Sequence, residues 1–137
     1  MKKVTGIGGI FFKCSDPNQT KNWYRDHLGL ETDTWGTNFE WRQTENPDKK
    51  GFTQWSPASE KSNHFKPSQK GFMVNYRVDN LEALASELRE AGVEILDEIE
   101  SLPYGKFLHI MDCDGVKVEL WEPNDEAYEE IVEGRTF

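Results

Sequence analysis

The chain has 137 residues, of which 36% are hydrophobic and 30% charged, and its formal net charge at pH 7 is −9. This length and composition suit a folded globular protein with one hydrophobic core. The acidic balance disfavours nucleic acid as a partner, because phosphate binding needs clustered Lys and Arg side chains. The longest apolar runs fall short of the roughly 18 residues that span a membrane, so we expect no membrane segment.

The N-terminus and the cysteines bear on where the protein works. The segment at 1–12 carries two lysines and a short apolar run, but it has no convincing cleavage site and continues into a strand pattern, so no signal peptide is predicted. Cys14 and Cys113 are isolated in sequence and match neither a disulfide framework nor a metal motif. The sequence therefore predicts a cytoplasmic protein with free thiols.

The first half of the chain predicts one helix among strands. Asp16 as N-cap, Pro17 at the first helical position and Gln19 in the first turn are typical of a helix start. Gly29 then supplies a left-handed stop. Strands are predicted at 5–14, 37–44 and 52–56, with a short edge segment at 30–34, a turn at 45–51 and a long loop at 57–70.

The second half repeats this order. Asp79 is predicted to cap a second helix with Glu82 in the capping-box position, and Gly92 ends it. Strands are predicted at 71–78, 93–99, 107–111 and 116–121, with a loop at 100–106. The acidic segment at 124–133 predicts a short helix that docks through Tyr128 and Ile131.

The last two strands predict a hairpin closed by Asp114-Gly115, a strong turn signal. Folding the chain about this turn places His109 opposite Glu119 and Met111 near Lys117. Because side chains alternate along a strand, one face carries the following aromatic and polar residues: Phe107, His109, Met111, Lys117, Glu119 and Trp121. The other face is apolar and requires a cover, most simply a helix.

The two halves form an internal repeat. Asp16 precedes Gly29 by thirteen residues, and Asp79 precedes Gly92 by the same interval. Strands follow each helix, so the sequence predicts two tandem βαβββ modules in an α+β fold, with a cupped mixed sheet and the helices outside. We expect a single domain over 1–137, divided into a first module at 1–66, a second module at 67–123 and a C-terminal tail at 124–137.

Three motifs carry a resemblance to a known family. They are Asp16-Pro17 followed by WYRDHLGL at 23–30, YRVDNL at 76–81, and DCDGVKVELWEP at 112–123. In this order they resemble the vicinal oxygen chelate superfamily, which includes glyoxalases, bleomycin- and fosfomycin-resistance proteins and extradiol dioxygenases. The resemblance covers nearly the whole chain and implies the fold more strongly than any one function.

The resemblance also bears on metal binding. The family's metal enzymes hold a divalent metal in the cup through His and Glu side chains, and those positions fall here on Gly9, Met73 and Glu119. Glycine has no side chain, and a thioether is a soft ligand poorly suited to hard divalent ions. Glu119 and His109 would supply at most two ligands, whereas a catalytic site normally has three from the protein. We therefore expect no metal and no cofactor.

The candidate site centres on His109 and Glu119, which are predicted to face the cup. His109 and Glu119 form an acid/base pair in one interpretation and a structural cross-strand pair in the other. His64, in the long loop, is predicted to be a solvated residue. Candidate ligand contacts, some of which must serve the core or a dimer contact instead, are Phe11, Trp41, Trp55, Met73, Asn75, Phe107 and Trp121.

Two classes of function follow from this pattern. The favoured one is an enzyme that binds a small organic molecule in the cup and transfers a proton through His109 and Glu119. The alternative is a non-catalytic protein that sequesters a hydrophobic or aromatic compound, as the family's resistance proteins do. In either case the resemblance implies a homodimer, and the five tryptophans exceed what one small core needs.

Overall fold

A computed structural model of the chain describes residues 3–133. Within this range the chain forms one mixed sheet of seven strands in the order β2-β3-β1-β4-β7-β6-β5, together with three α-helices. The strands are β1 (Val4–Cys14), β2 (Thr37–Gln43), β3 (Asn46–Ser59), β4 (Phe72–Val78), β5 (Glu100–Leu102), β6 (Gly105–Met111) and β7 (Lys117–Pro123). The helices are α1 (Pro17–Leu28), α2 (Leu81–Glu90) and α3 (Asp125–Val132), and a 3₁₀ turn spans Asn63–Phe65.

The sheet consists of two similar halves joined at its centre. β1 pairs in parallel with β3, β4 pairs in parallel with β7, and the antiparallel pair of β1 and β4 joins the halves. The predicted α+β fold class is thereby confirmed. The first half has three strands where four were expected, because the segment at 30–34 contributes only a single bridge between Asp33 and Gly36. The module boundaries at 66 and 67 stay a prediction, and the tail's last residues, 134–137, lie outside the described range.

α1 begins and ends where its sequence predicts. Asp16 Oδ1 accepts the backbone N–H groups of Asn18 (3.1 Å) and Gln19 (3.3 Å), as an N-cap should. Gly29 has a φ of 71°, and its N–H donates to the carbonyl of Arg25. This left-handed position favours glycine and ends the helix.

α2 begins one residue later than predicted. The cap is Asn80, whose Oδ1 accepts the N–H of Ala83 at 3.0 Å, and not Asp79. The backbone N–H of Leu81, the first residue of α2, donates to Glu122 Oε1 of β7 at 2.9 Å. A carboxylate from another strand therefore satisfies a donor that the capping box was expected to satisfy locally.

The predicted turn at 45–51 is wrong, because β3 already begins at Asn46. Gln43 pairs with Asn46, so the connection between β2 and β3 has only two residues. Gly51 serves packing instead of a turn: a Cβ atom there would lie 2.7 Å from Trp41 Cε3. A strand glycine of this kind makes room for a bulky neighbour. β3 also runs on to Ser59, into the segment predicted as a loop.

The predicted strand at 93–99 is also wrong. This segment touches β6 through an isolated bridge between Ile95 and Ile110, and β5 begins only at Glu100. The side chain of Asp97 accepts the N–H of His109 at 2.8 Å. A carboxylate thus takes the place of a backbone carbonyl, and the regular ladder is interrupted there.

Two apolar clusters lie on opposite sides of the sheet. α2 packs on the outer side, where the cluster comprises Val78, Leu81, Ala85, Leu108, Ile110 and Leu120. α3 packs on the inner side, which we define as the side carrying Phe107, His109, Glu119 and Trp121; the cluster there comprises Phe52, Trp121, Tyr128 and Val132. The predicted docking through Tyr128 is confirmed, but the second anchor is Val132, since Ile131 is 46% exposed.

Candidate functional site

The hairpin of β6 and β7 has the predicted register. His109 pairs with Glu119, and Met111 pairs with Lys117. The apolar outer face fixes this register, since a shift of one residue would expose the buried Leu108. The hairpin therefore brings an imidazole and a carboxylate together on the inner side, as the sequence predicts.

A row of paired residues crosses the centre of the sheet. Gly9 of β1 pairs with Asn75 of β4, Asn75 pairs with Glu119, and Glu119 pairs with His109. Asn75 and Glu119 are buried, with 3% and 7% of their surface exposed. Two polar side chains at this depth require partners, because an unpaired buried polar group is costly.

Glu119 receives those partners from both neighbours in the row. Its Oε1 accepts a hydrogen bond from Asn75 Nδ2 at 2.7 Å, and its Oε2 lies 2.7 Å from His109 Nε2. Burial by itself would raise the pKa of Glu119, but the hydrogen bonds from His109 and Asn75 outweigh burial and lower it. Glu119 is therefore an ionised carboxylate with both oxygens engaged.

His109 is held between two carboxylates. Its Nδ1 lies 2.6 Å from Asp97 Oδ2, and its Nε2 faces Glu119 on the other side of the ring. Both ring nitrogens can donate only in the protonated form. Burial acts to lower the pKa of His109, but the hydrogen bonds to Glu119 and Asp97 prevail and raise it above the ordinary 6.5. The two contacts and the raised pKa both favour the imidazolium form of His109.

His64 is exposed, as predicted, but its ring lies beside that of His109. The centroid of its ring is 6.3 Å from that of His109 and 6.2 Å from that of Phe11, both in edge-to-face geometry. The buried Phe65 anchors the 3₁₀ turn, and Lys117 Nζ donates to the His64 carbonyl at 2.7 Å. Partial burial, opposed by Glu119 and reinforced by Lys117 and His109, lowers the pKa of His64. The pKa values of these two neighbouring histidines are therefore shifted in opposite directions.

Two of the predicted ligand contacts, Phe107 and Trp121, pack in the cluster beneath α3. The ring of Phe107 stacks on that of Trp121, with centroids 5.7 Å apart and planes 9° apart. Trp121 meets Tyr128 at 5.1 Å and is only 3% exposed. Tyr128 OH donates to Asn38 Oδ1 at 2.7 Å, which fixes α3 over this part of the inner side. The predicted cup is therefore partly filled by the chain's own C-terminal helix.

The position predicted for Trp55 is corrected by the structure. Trp55 pairs in register with Ile10 on the outer side, and its ring meets Phe12 at 5.3 Å and Tyr24 of α1 at 4.8 Å. It thus packs under a helix and away from His109. The alternation within the predicted strand could not reveal this, because the face of β3 is set by its parallel pairing with β1.

The remaining candidates divide between two ends of the inner side. Met73 is fully buried and pairs across the strands with Phe11, close to His64. Trp41 lies at the other end, where its ring faces the guanidinium of Arg77 and its indole N–H donates to Thr53 Oγ1 at 2.9 Å. Only the first group is near the row of Asn75, Glu119 and His109.

The residues at the family's metal positions do not fit a metal. Gly9 offers no donor, and His109 has no free lone pair because both ring nitrogens face carboxylates. At neighbouring Gly8, a Cβ atom would lie 2.8 Å from Trp121 Cε3, so no side chain can enter there. Among residues 3–133, no three His, Cys, Asp or Glu side chains converge as metal ligands. The absence of a metal stays a prediction for the protein in solution.

Sequence reasoning missed Asp97 and Arg77. Asp97 lies in a segment that reads as a strand, and nothing local shows that its carboxylate turns towards His109. Arg77 alternates with Asn75 on β4, so the period of two placed it on the inner side, but a buried arginine between tryptophans has no local signature.

Comparison with known proteins assigns the family. Residues 6–120 match the model of the Glyoxalase/Bleomycin resistance protein/Dioxygenase superfamily, and the chain belongs to this family. No curated protein matches the chain closely enough to count as a relative.

No helix among the described residues is long and apolar enough to cross a membrane.

Solved structures share the fold. Methylmalonyl-CoA epimerase from Mycobacterium tuberculosis is 22% identical with a TM-score of 0.61, over 93% of this chain and 94% of that one. A variant of the Streptomyces coelicolor epimerase in complex with 2-nitronate-propionyl-CoA is 19% identical with a TM-score of 0.64, over 88% and 99%. NAD-dependent benzaldehyde dehydrogenase from Legionella pneumophila is 11% identical with a TM-score of 0.53, over 85% and 98%. At these identities the likeness concerns the fold alone.

Proposed function

We propose that this protein is a metal-independent binding protein for a small organic molecule, held on the inner side of the sheet beside His109. One observation carries the proposal: both ring nitrogens of His109 are engaged by carboxylates, at 2.6 Å from Asp97 and 2.7 Å from Glu119. An imidazolium held in this way has no lone pair with which to bind a metal or to accept a proton.

The same geometry argues against the enzyme that the sequence favoured. A general base works best when its pKa lies near the working pH and its basic atom is free. Glu119 meets neither condition, because its pKa is lowered and each of its oxygens accepts a hydrogen bond. Proton transfer by His109 and Glu119 would first require this network to break. Binding without chemistry is therefore the better supported of the two classes.

The surroundings indicate the shape of the ligand. The rings of Phe11, Phe65 and His109 lie around the ring of His64, each with centroids 6.2–6.3 Å away. Edge and face contacts of this kind suit a flat, partly apolar molecule. The side chain of His109 is 15% exposed, which leaves one edge of the imidazolium within reach of a ligand. We propose an aromatic or other planar organic compound as the ligand class.

A thermal-shift screen tests the proposal, because a ligand that binds only the folded state raises Tm. The panel contains planar aromatic compounds and methylmalonyl-CoA, each with EDTA and each with added Ni²⁺ or Mn²⁺. We expect at least one planar compound to raise Tm equally with and without metal. Binding that requires a metal, or epimerisation of methylmalonyl-CoA by the protein, would overturn the proposal.

Variants then locate the binding site. Glu119→Gln and His109→Gln should each weaken binding of the compound found in the screen, whereas the exposed Glu60→Gln should bind it as the wild type does. The two effects should be non-additive in the double variant, since the side chains share a hydrogen bond. Unchanged affinity in both single variants would show that the row is structural.

A further inference from the structure

Arg77 is a buried cation at the opposite end of the inner side from His64. Its side chain is 3% exposed. The guanidinium carbon lies 5.1 Å from the ring centroid of Trp41 and 5.3 Å from that of Trp121. Contact with two indole rings holds a guanidinium in place and leaves its N–H edges for hydrogen bonds.

Only part of that hydrogen-bonding capacity is used. Arg77 Nη2 donates to Asp125 Oδ2 of α3 at 2.5 Å, and Gln43 Nε2 donates to the same oxygen at 2.9 Å. Arg77 Nη1 and Asp125 Oδ1 are both buried and have no hydrogen-bond partner among the described residues. Arginine and carboxylate commonly form two parallel bonds, so a single-point pair at this depth is unusual.

A small cavity adjoins Arg77. Its volume is about 110 Å³, and Arg77, Trp41, Arg42 and Thr44 contribute to its lining. At roughly 30 Å³ for a water molecule, this space holds a group of three or four heavy atoms. Glu45 and Asp79 also line the cavity. With Asp125 on Arg77, three carboxylates and two arginines lie in this region, which disfavours a doubly charged anion such as sulfate more than a planar monoanion.

We propose that Arg77 is a carboxylate-binding residue whose guanidinium is partly occupied by Asp125, and that the cavity beside it accepts the carboxylate of a small organic acid. The carboxylate of Asp125 already binds Arg77 in the way proposed for the carboxylate of the ligand. The Asp125 side chain is 22% exposed and reaches Arg77 from the first turn of α3. This site is separate from the row around His109 and does not depend on the function proposed there.

Chemical rescue with acetate tests the proposal. Asp125→Ala removes the internal carboxylate, and acetate should take its place. At about ten times its Kd, acetate should raise the Tm of this variant by roughly 3–6 °C more than chloride at equal ionic strength. Glu126→Ala, the neighbouring exposed position on α3, is the matched control and should show no such difference.

Two further measurements keep the test decisive. In the wild type, acetate should shift the indole N–H resonances of Trp41 and Trp121 in a saturable way, whatever the folding of the variant. In Asp125→Ala/Arg77→Lys the acetate effect should disappear, since lysine lacks the planar fork. An equal effect of sulfate, an equal effect in Glu126→Ala, or no saturable shift in the wild type would overturn the proposal.

Discussion

At the scale of single residues, His109 depends on a partner that its own hairpin does not supply. Glu119 comes from the neighbouring strand, whereas Asp97 comes from the irregular segment before β5 and binds both the ring and the backbone N–H of His109. Two carboxylates around one imidazole stabilise its charged form. The protonation state of His109 is therefore set by Asp97 as well as by the Glu119 partner visible in the sequence.

Asp97→Asn tests this role. Loss of one carboxylate should lower the pKa of His109 towards its ordinary 6.5, because one of the hydrogen bonds that raise it loses its charge. NMR titration of the ring protons gives the pKa directly, with the exposed Glu98→Gln as the matched control. An unchanged pKa in Asp97→Asn would contradict the role assigned to Asp97.

The raised pKa of His109 also predicts how stability depends on pH. A group that binds its proton more tightly when folded contributes stability that is fully present below its unfolded pKa, near 6.5, and is lost as pH rises through the raised folded value. The Tm advantage of wild type over His109→Gln should therefore shrink as pH rises above 6.5. An advantage that grows over this range would show that the ring is neutral in the fold. At acid pH, the lowered pKa of Glu119 predicts a separate loss of folding stability as the pH falls through that pKa.

Gly8 provides a steric test beside the site. A Cβ atom at Gly8 would lie 2.8 Å from Trp121 Cε3 and 3.0 Å from Arg77 Cγ, and both side chains are buried. Gly8→Ala should therefore destabilise the protein by about 1–3 kcal/mol through overpacking. Gly71→Ala is the control, because its Cβ would meet nothing within 4 Å. Equal midpoints for the two variants in urea unfolding would contradict the close packing described at Gly8.

At the scale of secondary-structure elements, α3 covers part of the inner side through few contacts. Val132 is 1% exposed within the cluster of Phe52 and Trp121, whereas the adjacent Ile131 is 46% exposed. Val132→Ala should lower the free energy of unfolding by about 1–3 kcal/mol, because it removes buried methyl groups and leaves a cavity. Ile131→Ala should cost less than about 0.5 kcal/mol. The reverse order in denaturant unfolding would place the other face of α3 against the sheet.

Elements with local signals were predictable, and those set by distant contacts were not. The start and stop of α1 depend on a cap, a proline and a glycine within the segment, and the hairpin register follows from a two-residue period around Asp114-Gly115. By contrast, Gly51 looks like a turn residue until Trp41 is known to lie over it. Trp55 likewise follows a period of two, but only its pairing with β1 decides its face. Asp97 and Arg77 depend wholly on tertiary contacts, so no sequence pattern reveals them.

At the scale of the whole molecule, the outer side of the central strands remains partly uncovered. Val4, Ile10 and Phe72 are each more than 40% exposed, although they lie on the two strands that join the halves of the sheet. Apolar side chains exposed on a sheet face are typical of a subunit contact. We therefore keep the prediction of a homodimer, with this face as its contact.

Sedimentation at micromolar concentration tests the dimer. We expect a mass of about twice the chain's 15.9 kDa. Ile10→Lys should give the monomer mass with an unchanged circular dichroism spectrum, since the side chain is exposed within one chain. A wild-type monomer would contradict the dimer, and an Ile10→Lys dimer would place the contact elsewhere.

The central claim is that the inner side holds an imidazolium clamped between two carboxylates, in place of a metal. Long-range ¹H–¹⁵N correlation spectra of the histidine rings at pH 7 test it most directly, with His109 assigned by comparison with His109→Gln. The account predicts that both ring nitrogens of His109 are protonated and that their shifts stay the same with EDTA and with stoichiometric Ni²⁺. A neutral His109 ring, or a His109 signal that Ni²⁺ broadens selectively and EDTA restores, would contradict it.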